Sequence, residues 1–433
     1  MRQMKIILSL LCIALAPAAA RAGAVVGGAV EVAPGVQGSR SQMWPRAAWC
    51  EGSKTWLVAW REGHTTDMAT DIWCARVSAG GKTLDPGGIK VCSAADNQER
   101  PWVASDGKGF LVAWEDFRNE KDYDVYAARV SAEGKVLDKD GFLVAGGAHN
   151  QCHPVAAFAG GNYYVAWQAF TPDPGRYLLH GARVSADGKV LDAKSVTLTP
   201  TGGKGELIDA EASADNPVIA ASGDRVQVGC LVVRNMSRWR GKHGAIVGVD
   251  PATGQVAQKI RALGPAEGRS RRHAGFVTGT HRMPALAWGK DGGLFAAPAS
   301  PRGGGSALHL WRLDASGKET GPPQGIPGAR SAGLQPLFSI AFDGAGYLVT
   351  LDRPVSKGRN KVQVTVQGYR IPASGAFTID PKKPALFPIA ADGGKDQMQG
   401  FAAPGPAGAV LVSYVEVRGA DDLKVMARVV KSK

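Results

Sequence analysis

Sustained helical periods are missing from this chain, and so is any apolar run long enough to cross a membrane. Its longest apolar stretch, Ile6–Ala16, falls short of the roughly 20 residues that a spanning helix needs. Cysteine is scarce, at 6 of 433 residues, and no Cys-x-x-Cys or Cys/His spacing suggests zinc or haem. No Gly-x-Ser-x-Gly, P-loop or His-Glu-x-x-His string occurs, so no metal site and no cofactor are expected. Basic residues are not interleaved with aromatics, which argues against a nucleic-acid partner. What is abundant is 57 Gly and 26 Pro, the composition of an all-β chain with many turns.

Three segments are copies of one another. Residues 56–85 read WLVAWREGHTTDMATDIWCARVSAGGKTLD, 110–138 read FLVAWEDFRNEKDYDVYAARVSAEGKVLD, and 163–192 read YYVAWQAFTPDPGRYLLHGARVSADGKVLD. A period near 50 residues marks a repeat architecture. Within one copy, four apolar stretches separated by turn residues predict four short antiparallel strands, a to d. In the second copy these are about Trp102–Ser105, Phe110–Trp114, Asp124–Ser131 and a strand ending near Val144. An Arg ahead of the c–d turn recurs as Arg76, Arg129, Arg183, Arg312, Arg370 and Arg428, with Val249 in the fourth copy. A Pro before strand a recurs as Pro45, Pro101, Pro154, Pro217, Pro284 and Pro336. The count is seven copies, clear in the first three and eroded later.

The two ends complement each other. The seventh copy stops after strand c, at Lys424–Lys431, while Ala29–Ala33 reads as an isolated strand d. Donating it to the last blade closes a ring and removes both sheet edges. The innermost strands are rich in Ala (Ala47-Ala48, Ala104, Ala156-Ala157, Ala220-Ala221, Ala285, Ala402-Ala403), as strands converging on one axis require. The expected fold is an all-β, seven-bladed β-propeller of four-stranded antiparallel blades, with six or eight blades as the alternative, filling residues 23–433 as one domain.

Residues 1–22 read as a signal peptide, with Arg2 and Lys5, an apolar core and Ala20-Arg21-Ala22 as the cleavage site. The expected protein is therefore secreted or periplasmic, monomeric and without a transmembrane anchor. Loss of Arg2, Lys5 and Arg21 takes the net charge from +13 to +10. Five Cys remain, an odd number, so at least one is unpaired. Cys74 and Cys92 bond only if strand d bulges at Pro86-Gly87-Gly88; small buried thiols are the equal alternative.

The long b–c and d–a loops share one face of a propeller, here called the top, and its charge is divided. Blades 1 and 2 bring carboxylates, densest at Asp116, Asp122 and Asp124, which are candidates for acid–base chemistry or cation binding. Blades 4 to 6 bring Arg234, Arg238, Arg240, Lys242, Arg272 and Arg359, candidates for binding an anionic partner such as an acidic polysaccharide. The repeated strand-c Arg favours a structural role, since a catalytic group need occur only once, and Trp60, Trp114 and Trp167 read as packing between blades. Gln42, Gln98, Gln151 and Gln397 sit near the recurring Pro, either satisfying loop backbone or lining a polar site.

The string VAWEDFRNEKDYDVYAARVSAEGKVLD resembles a repeat of large secreted and cell-surface bacterial proteins, written W-x-D-x-R … D-I-Y-x-x-R-V … G-x-x-L-D. The likeness is close over residues 45–192 and degenerate from 217 onward. It implies a propeller scaffold, export and no particular reaction. Tyr369-Arg370-Ile371-Pro372 spells a sialidase signature, but Arg370 is the ordinary strand-c Arg of the sixth copy. Ser185-Ala186-Asp187-Gly188 does not meet the sialidase Asp-box spacing. The expectation is a non-catalytic binding or scaffold protein whose charged top face recognises a polymer or protein partner. The alternative is a sialidase-like glycan hydrolase or lyase acting on acidic sugars.

Overall fold

Seven antiparallel sheets follow one another along the chain in the computed structural model. It describes residues 24–432 apart from segments 36–40, 64–68, 203–206, 208–211, 264–282, 300–306, 328–337 and 381–383 and several shorter breaks. Blade 1 comprises Ser41–Cys50, Thr55–Gly63, Asp71–Ser78 and Ile89–Cys92, and blade 2 comprises Gln98–Ser105, Gly109–Asp116, Asp124–Ser131 and Phe142–Ala145. Blade 3 runs from Gln151–Ala159 to Val196–Thr197, blade 4 from Ala212–Ser222 to Val256–Leu263, blade 5 from Ala285–Gly289 to Gln324–Pro327, and blade 6 from Phe338–Phe342 to Phe387–Ala390. Blade 7 has Gln397–Pro404, Ala409–Val417 and Leu423–Ser432. The innermost strands touch in sequence order, and that of blade 7 meets that of blade 1, so the array is a closed seven-bladed propeller.

Residues 1–22, expected to be a signal peptide, lie outside the described residues. Just beyond them, Ala24–Val26 and Val30–Glu31 both pair antiparallel with Leu423–Ser432, placing Val26 opposite Val430 and Val30 opposite Ala427. Val32 and Ala33 are buried in the same cluster as Trp56 of blade 1 and Leu411 of blade 7. The segment also reaches blade 1 directly. Thr83 Oγ1 donates to the Glu31 carbonyl at 2.9 Å, and the Gly35 N–H donates to the Pro86 carbonyl at 2.6 Å.

The repeated Arg is explained by contacts between blades. Arg129 grips Asp138 of its own blade with Nε and Nη2 at 2.8 and 2.7 Å, and Arg76 grips Asp85 in the same way. The free edge of the guanidinium then serves the next blade's c–d turn. Arg76 donates to the Ala132 carbonyl at 3.2 Å, Arg183 donates to that of Ala252, and Arg312 donates to that of Ala373 at 2.6 Å. The turn glycine lies against that Arg. A Cβ at Gly134 would meet Arg76 Nε at 2.9 Å, and one at Gly188 would meet Arg129 Nε at 2.7 Å. Two constraints thus coincide, because Gly188 also has φ +87°, where an L side chain is strained. Gly188→Ala is expected to lower stability by about 1–3 kcal/mol. Thermal unfolding of the variant beside Gly161→Ala, where a Cβ meets nothing within 4 Å and φ is +82°, separates the clash from the dihedral strain.

These pairs also set an acid limit. Burial pushes the Asp138 and Asp192 carboxyls up, but hydrogen bonds from Arg129 and Arg183 outweigh it and hold both below the usual value. A depressed folded pKa means stability present above the unfolded value of about 3.9 and lost as pH falls through the folded one. The melting temperature is expected to drop below about pH 4, and less steeply in Arg129→Met, as differential scanning calorimetry through the acid range would record.

Two sequence expectations are corrected. In blades 1 to 4 the recurring Pro stands inside strand a, at a bulge where the register with strand b shifts, for example between Glu99 and Trp102, while Pro284 precedes strand a as expected and Pro336 lies outside the described residues. Strand a of blade 2 therefore starts at Gln98, not Trp102. Cys74 and Cys92 are unbonded, as are Cys50, Cys152 and Cys230. The strand-d irregularity puts Cys92 opposite Ile72 and leaves Cys74 facing Ile89.

Candidate functional site at the mouth of the axial cavity

Five strand-a bulges carry a residue in left-handed backbone, and three of these residues, Trp44, Arg100 and His153, border a pocket at the top of the ring. The residues at the bulge are Trp44, Arg100, His153, Asn216 and Gln399, with φ of +58°, +51°, +54°, +53° and +58°. All but Gln399 precede a Pro, where helical conformations are disfavoured as well. Left-handed backbone at ordinary residues costs on the order of 1–3 kcal/mol each and persists only where the surroundings over-determine it. Here the neighbouring blade supplies the hold. Glu115 Oε2 accepts the His153 N–H at 2.8 Å, and Gln168 Oε1 accepts the Asn216 N–H at 2.8 Å. Asp352 accepts the Gln399 and Gly400 N–H groups at 2.7 and 3.1 Å, while Gln399 Oε1 accepts the Trp44 N–H at 2.7 Å. The frame is constant while the projected side chain changes from blade to blade, the pattern of a recognition ring on a repeat scaffold.

Below this ring lies an axial cavity of about 380 Å³ lined mainly by Ala, Trp and Phe of the innermost strands. The Ala pairs read from the sequence face it, including Ala47-Ala48, Ala156-Ala157 and Ala220-Ala221. A small adjoining pocket at its top is bounded by Trp44, Arg46, Arg100 and His153.

Two carboxyls of blade 2 interact with Arg100, a residue bordering this pocket, although neither lines the pocket or the cavity itself. Glu99 and Glu115 are directly opposed in the ladder between strands a and b of blade 2, the position of closest cross-strand approach. Arg61 Nη1 donates to Glu99 Oε1 at 2.8 Å, and Arg100 Nε lies 3.2 Å from Glu115 Oε1. Burial raises the Glu115 carboxyl most, Arg100 opposes that, and the charge of Glu99 adds to the rise. Glu99 is likewise pushed up by burial, against Arg61 and Arg100. A near pair of carboxyls, both displaced toward the protonated form, supplies one proton donor and one ionised partner in the same place. Arg100 spans the site, its guanidinium 4.7 Å from the Trp44 ring centroid.

The carboxylates singled out from sequence sit elsewhere. Asp116 is buried, accepts the Trp114 Nε1–H at 2.7 Å and is gripped by Arg118 Nε and Nη2 at 2.9 and 2.6 Å. Asp122 and Asp124 share the Asn119 side-chain amide, at 2.9 and 3.0 Å. Burial and then the Asp122 charge push the Asp124 carboxyl up. None of the three lines the axial cavity or its top pocket, because strand alternation turns Asp116 to the face of blade 2 that carries Trp114, and the other two close the b–c loop. Gln42 and Gln98 satisfy backbone groups, and Gln151 Oε1 accepts the Trp167 Nε1–H at 2.8 Å. Gln42 Oε1 accepts the Val425 N–H at 2.9 Å, and Gln98 Nε2 donates to the Ala95 carbonyl at 2.8 Å.

Of the basic candidates, Arg234, Arg240 and Lys242 fall in the long hairpin of blade 4, where Arg234 pairs with Gly241, Asn235 with Arg240 and Val233 with Lys242. Arg238, Arg272 and Arg359 lie outside the described residues. Among the described residues no group of three or more His, Cys, Asp or Glu is arranged to hold a metal ion. Sequence reasoning missed Glu99, Arg100 and Arg46. The available signal was the residue before each recurring Pro, whose type changes at every copy while its flanks repeat.

No protein-family model and no curated protein matches the sequence, so the likeness to secreted bacterial repeats is carried by the propeller alone. Solved structures do align. The GH93 alpha-L-arabinofuranosidase of Fusarium graminearum, in complex with arabinobiose, has a TM-score of 0.50 at 10% identity over 80% of this chain and 98% of that one. Penicillium chrysogenum alpha-L-arabinanase, complexed with arabinobiose, has a TM-score of 0.50 at 12% identity over 80% and 98%. A protein of unknown function from Dyadobacter fermentans covers 95% of this chain and 100% of its own at 10% identity, with a TM-score of 0.48. At these identities the likeness establishes a shared fold. The expectation of a non-catalytic scaffold is corrected: the aligned structures named are an alpha-L-arabinofuranosidase and an alpha-L-arabinanase, which stand closer to the alternative than to a scaffold.

Proposed function

We propose that this protein is a glycoside hydrolase acting on a polysaccharide at the top mouth of its propeller. The observation that carries the reading is the Glu99–Glu115 pair, opposed across one ladder position and displaced toward the protonated form by burial. In glycoside hydrolysis one carboxyl gives its proton to the leaving oxygen while an ionised partner assists attack at the anomeric carbon. Arg100 tunes the pair, and the half-buried Trp44 offers an apolar face for a sugar ring. The propellers with arabinobiose bound make arabinose-containing polysaccharides the first substrates to try. Export through the leader at 1–22 would bring the protein to such substrates.

The test is release of new reducing ends from arabinan, pectic and neutral polysaccharides by the wild-type protein and by a Glu99→Gln, Glu115→Gln double variant. Release by the wild type and its loss in the variant is the expected result. No release from any of these substrates, or equal release by both proteins, would overturn the reading.

A further inference from the structure

Among the described residues, the axial cavity contains a cation with no counter-charge. Arg46, in strand a of blade 1, is 8% exposed and lines both the cavity and its top pocket. Its Nη1 donates to the Pro45 carbonyl at 2.9 Å, and Nη2 has only the Met283 sulfur at 3.9 Å. The guanidinium stands 4.8 Å from the Phe401 ring centroid and 5.5 Å from that of Trp102, two rings that themselves pack edge to face. Among the described residues no carboxylate pairs with it. The nearest charge acting on it is another cation, Arg100, whose own partner is Glu115.

An unpaired buried charge costs several kcal/mol; Arg76, Arg118, Arg129 and Arg183 are paired with carboxylates, whereas Arg312 rests on carbonyls and ring faces but lines no part of the axial cavity. Aromatic faces hold the Arg46 side chain in place but leave most of its five N–H donors unused. Burial first, then Arg100, pulls the guanidinium down to about 9. The cavity, at about 380 Å³, is of the size that takes a small ligand. An anionic group entering from the top would meet Arg46 and Arg100 together, with an apolar wall of Trp102 and Phe401 for the body of the ligand.

We propose that the axial cavity is a subsite for a carboxylate-bearing sugar, a uronate residue, whose carboxylate is held by Arg46 with Arg100 beside it. The proposal rests on the glycan reading for the sugar, while the anion is assigned by Arg46 alone. It moves charge recognition from the basic hairpin of blade 4 to the axis of the ring.

The experiment is calorimetric titration of the wild-type protein and of Arg46→Met with galacturonate, glucuronate, galactose, glucose and acetate. Uronates should bind the wild type and lose about tenfold to a hundredfold in affinity in Arg46→Met, the range for a charge-assisted hydrogen-bonding partner. The neutral sugars should bind more weakly than the uronates by about tenfold or more. Arg46→Met should melt at or above the wild-type temperature, since replacing an unpaired buried charge by an apolar side chain is neutral or stabilising. A lower melting temperature with unchanged uronate binding would show Arg46 to be structural and overturn the proposal. Equal affinity for uronates and neutral sugars would overturn it too, and so would acetate binding as tightly as the uronates, which assigns the site to a free anion. Uronate binding without cleavage of any polysaccharide would support this subsite while removing the hydrolase reading. Cleavage of neutral glycans without uronate binding would do the reverse.

Discussion

Glu115→Gln and Glu99→Gln are each expected to lower kcat on a cleaved glycan by about 10²–10⁴-fold, the range typical of general acid–base groups, with little change in KM. The replacement is nearly isosteric. In Glu115→Gln the new side-chain amide keeps an oxygen that can accept the His153 N–H now bonded to Glu115 Oε2, so the bulge and its neighbours should hold. What goes is the ability to exchange a proton. The two carboxyls interact, and the proton belongs to the pair rather than to either residue. Both are raised by burial, so the pH–rate profile should lie above the range of an ordinary Glu, about 4.3. Activity that requires the protonated member falls as pH rises through the raised value, and activity that requires the ionised member falls on the acid side. Each single Gln variant should therefore lose one limb of the bell. A pH profile of kcat/KM, with thermal melts to confirm folding, is the measurement. Wild-type kcat in either variant would remove that residue from the acid–base pair.

Removal of residues 24–33 should produce the largest loss of stability. These residues fill the position beside Leu423–Ser432 that no other strand occupies. Their loss frees the Gly27–Val429 and Val32–Val425 backbone bonds, both 2.9 Å, and the ion pair of Glu31 with Arg418 at 2.9 Å. It also uncovers the space filled by Val32 and Ala33. Burying Val32 alone is worth roughly 1.5–3 kcal/mol, and each hydrogen bond about 0.5–1.5 kcal/mol net. The sum is on the order of 4 kcal/mol. A large part of the margin of a marginally stable fold would be lost. The exposed edge of Leu423–Ser432 would also be a template for pairing with another chain. The expected observations are a strongly lowered unfolding midpoint in urea and concentration-dependent aggregation by light scattering. An unchanged midpoint would mean that the first and last blades hold together through side-chain packing alone.

The sequence by itself determined the architecture. The Arg repeated in six of seven copies, with a Gly at a fixed offset in five of those six, encodes a contact made between blades, because the guanidinium of one copy needs the turn of the next and leaves no room for a Cβ there. The Ala-rich inner strands encode convergence on an axis. The unpaired strand-like ends encode where the chain begins and stops in the ring. All of these are local patterns multiplied by repetition, and repetition is visible in one dimension. The site was decided by tertiary structure. Glu99, Glu115, Arg100 and Arg46 come from two blades and look unremarkable in the chain. Asp116-x-Arg118 is the more conspicuous charged string, yet it closes on itself through a bidentate bond and a tryptophan N–H. Alternation along a strand sends neighbours such as Glu115 and Asp116 to opposite faces, so density of charge in sequence does not translate into density in space. The bulge before Pro154 and Pro217, and its counterpart at Gln399, puts one variable residue in left-handed backbone whose N–H is held by a side chain from the adjacent blade. That dependence on a neighbour 38 to 48 residues away is a property of the closed ring, and no single copy contains it.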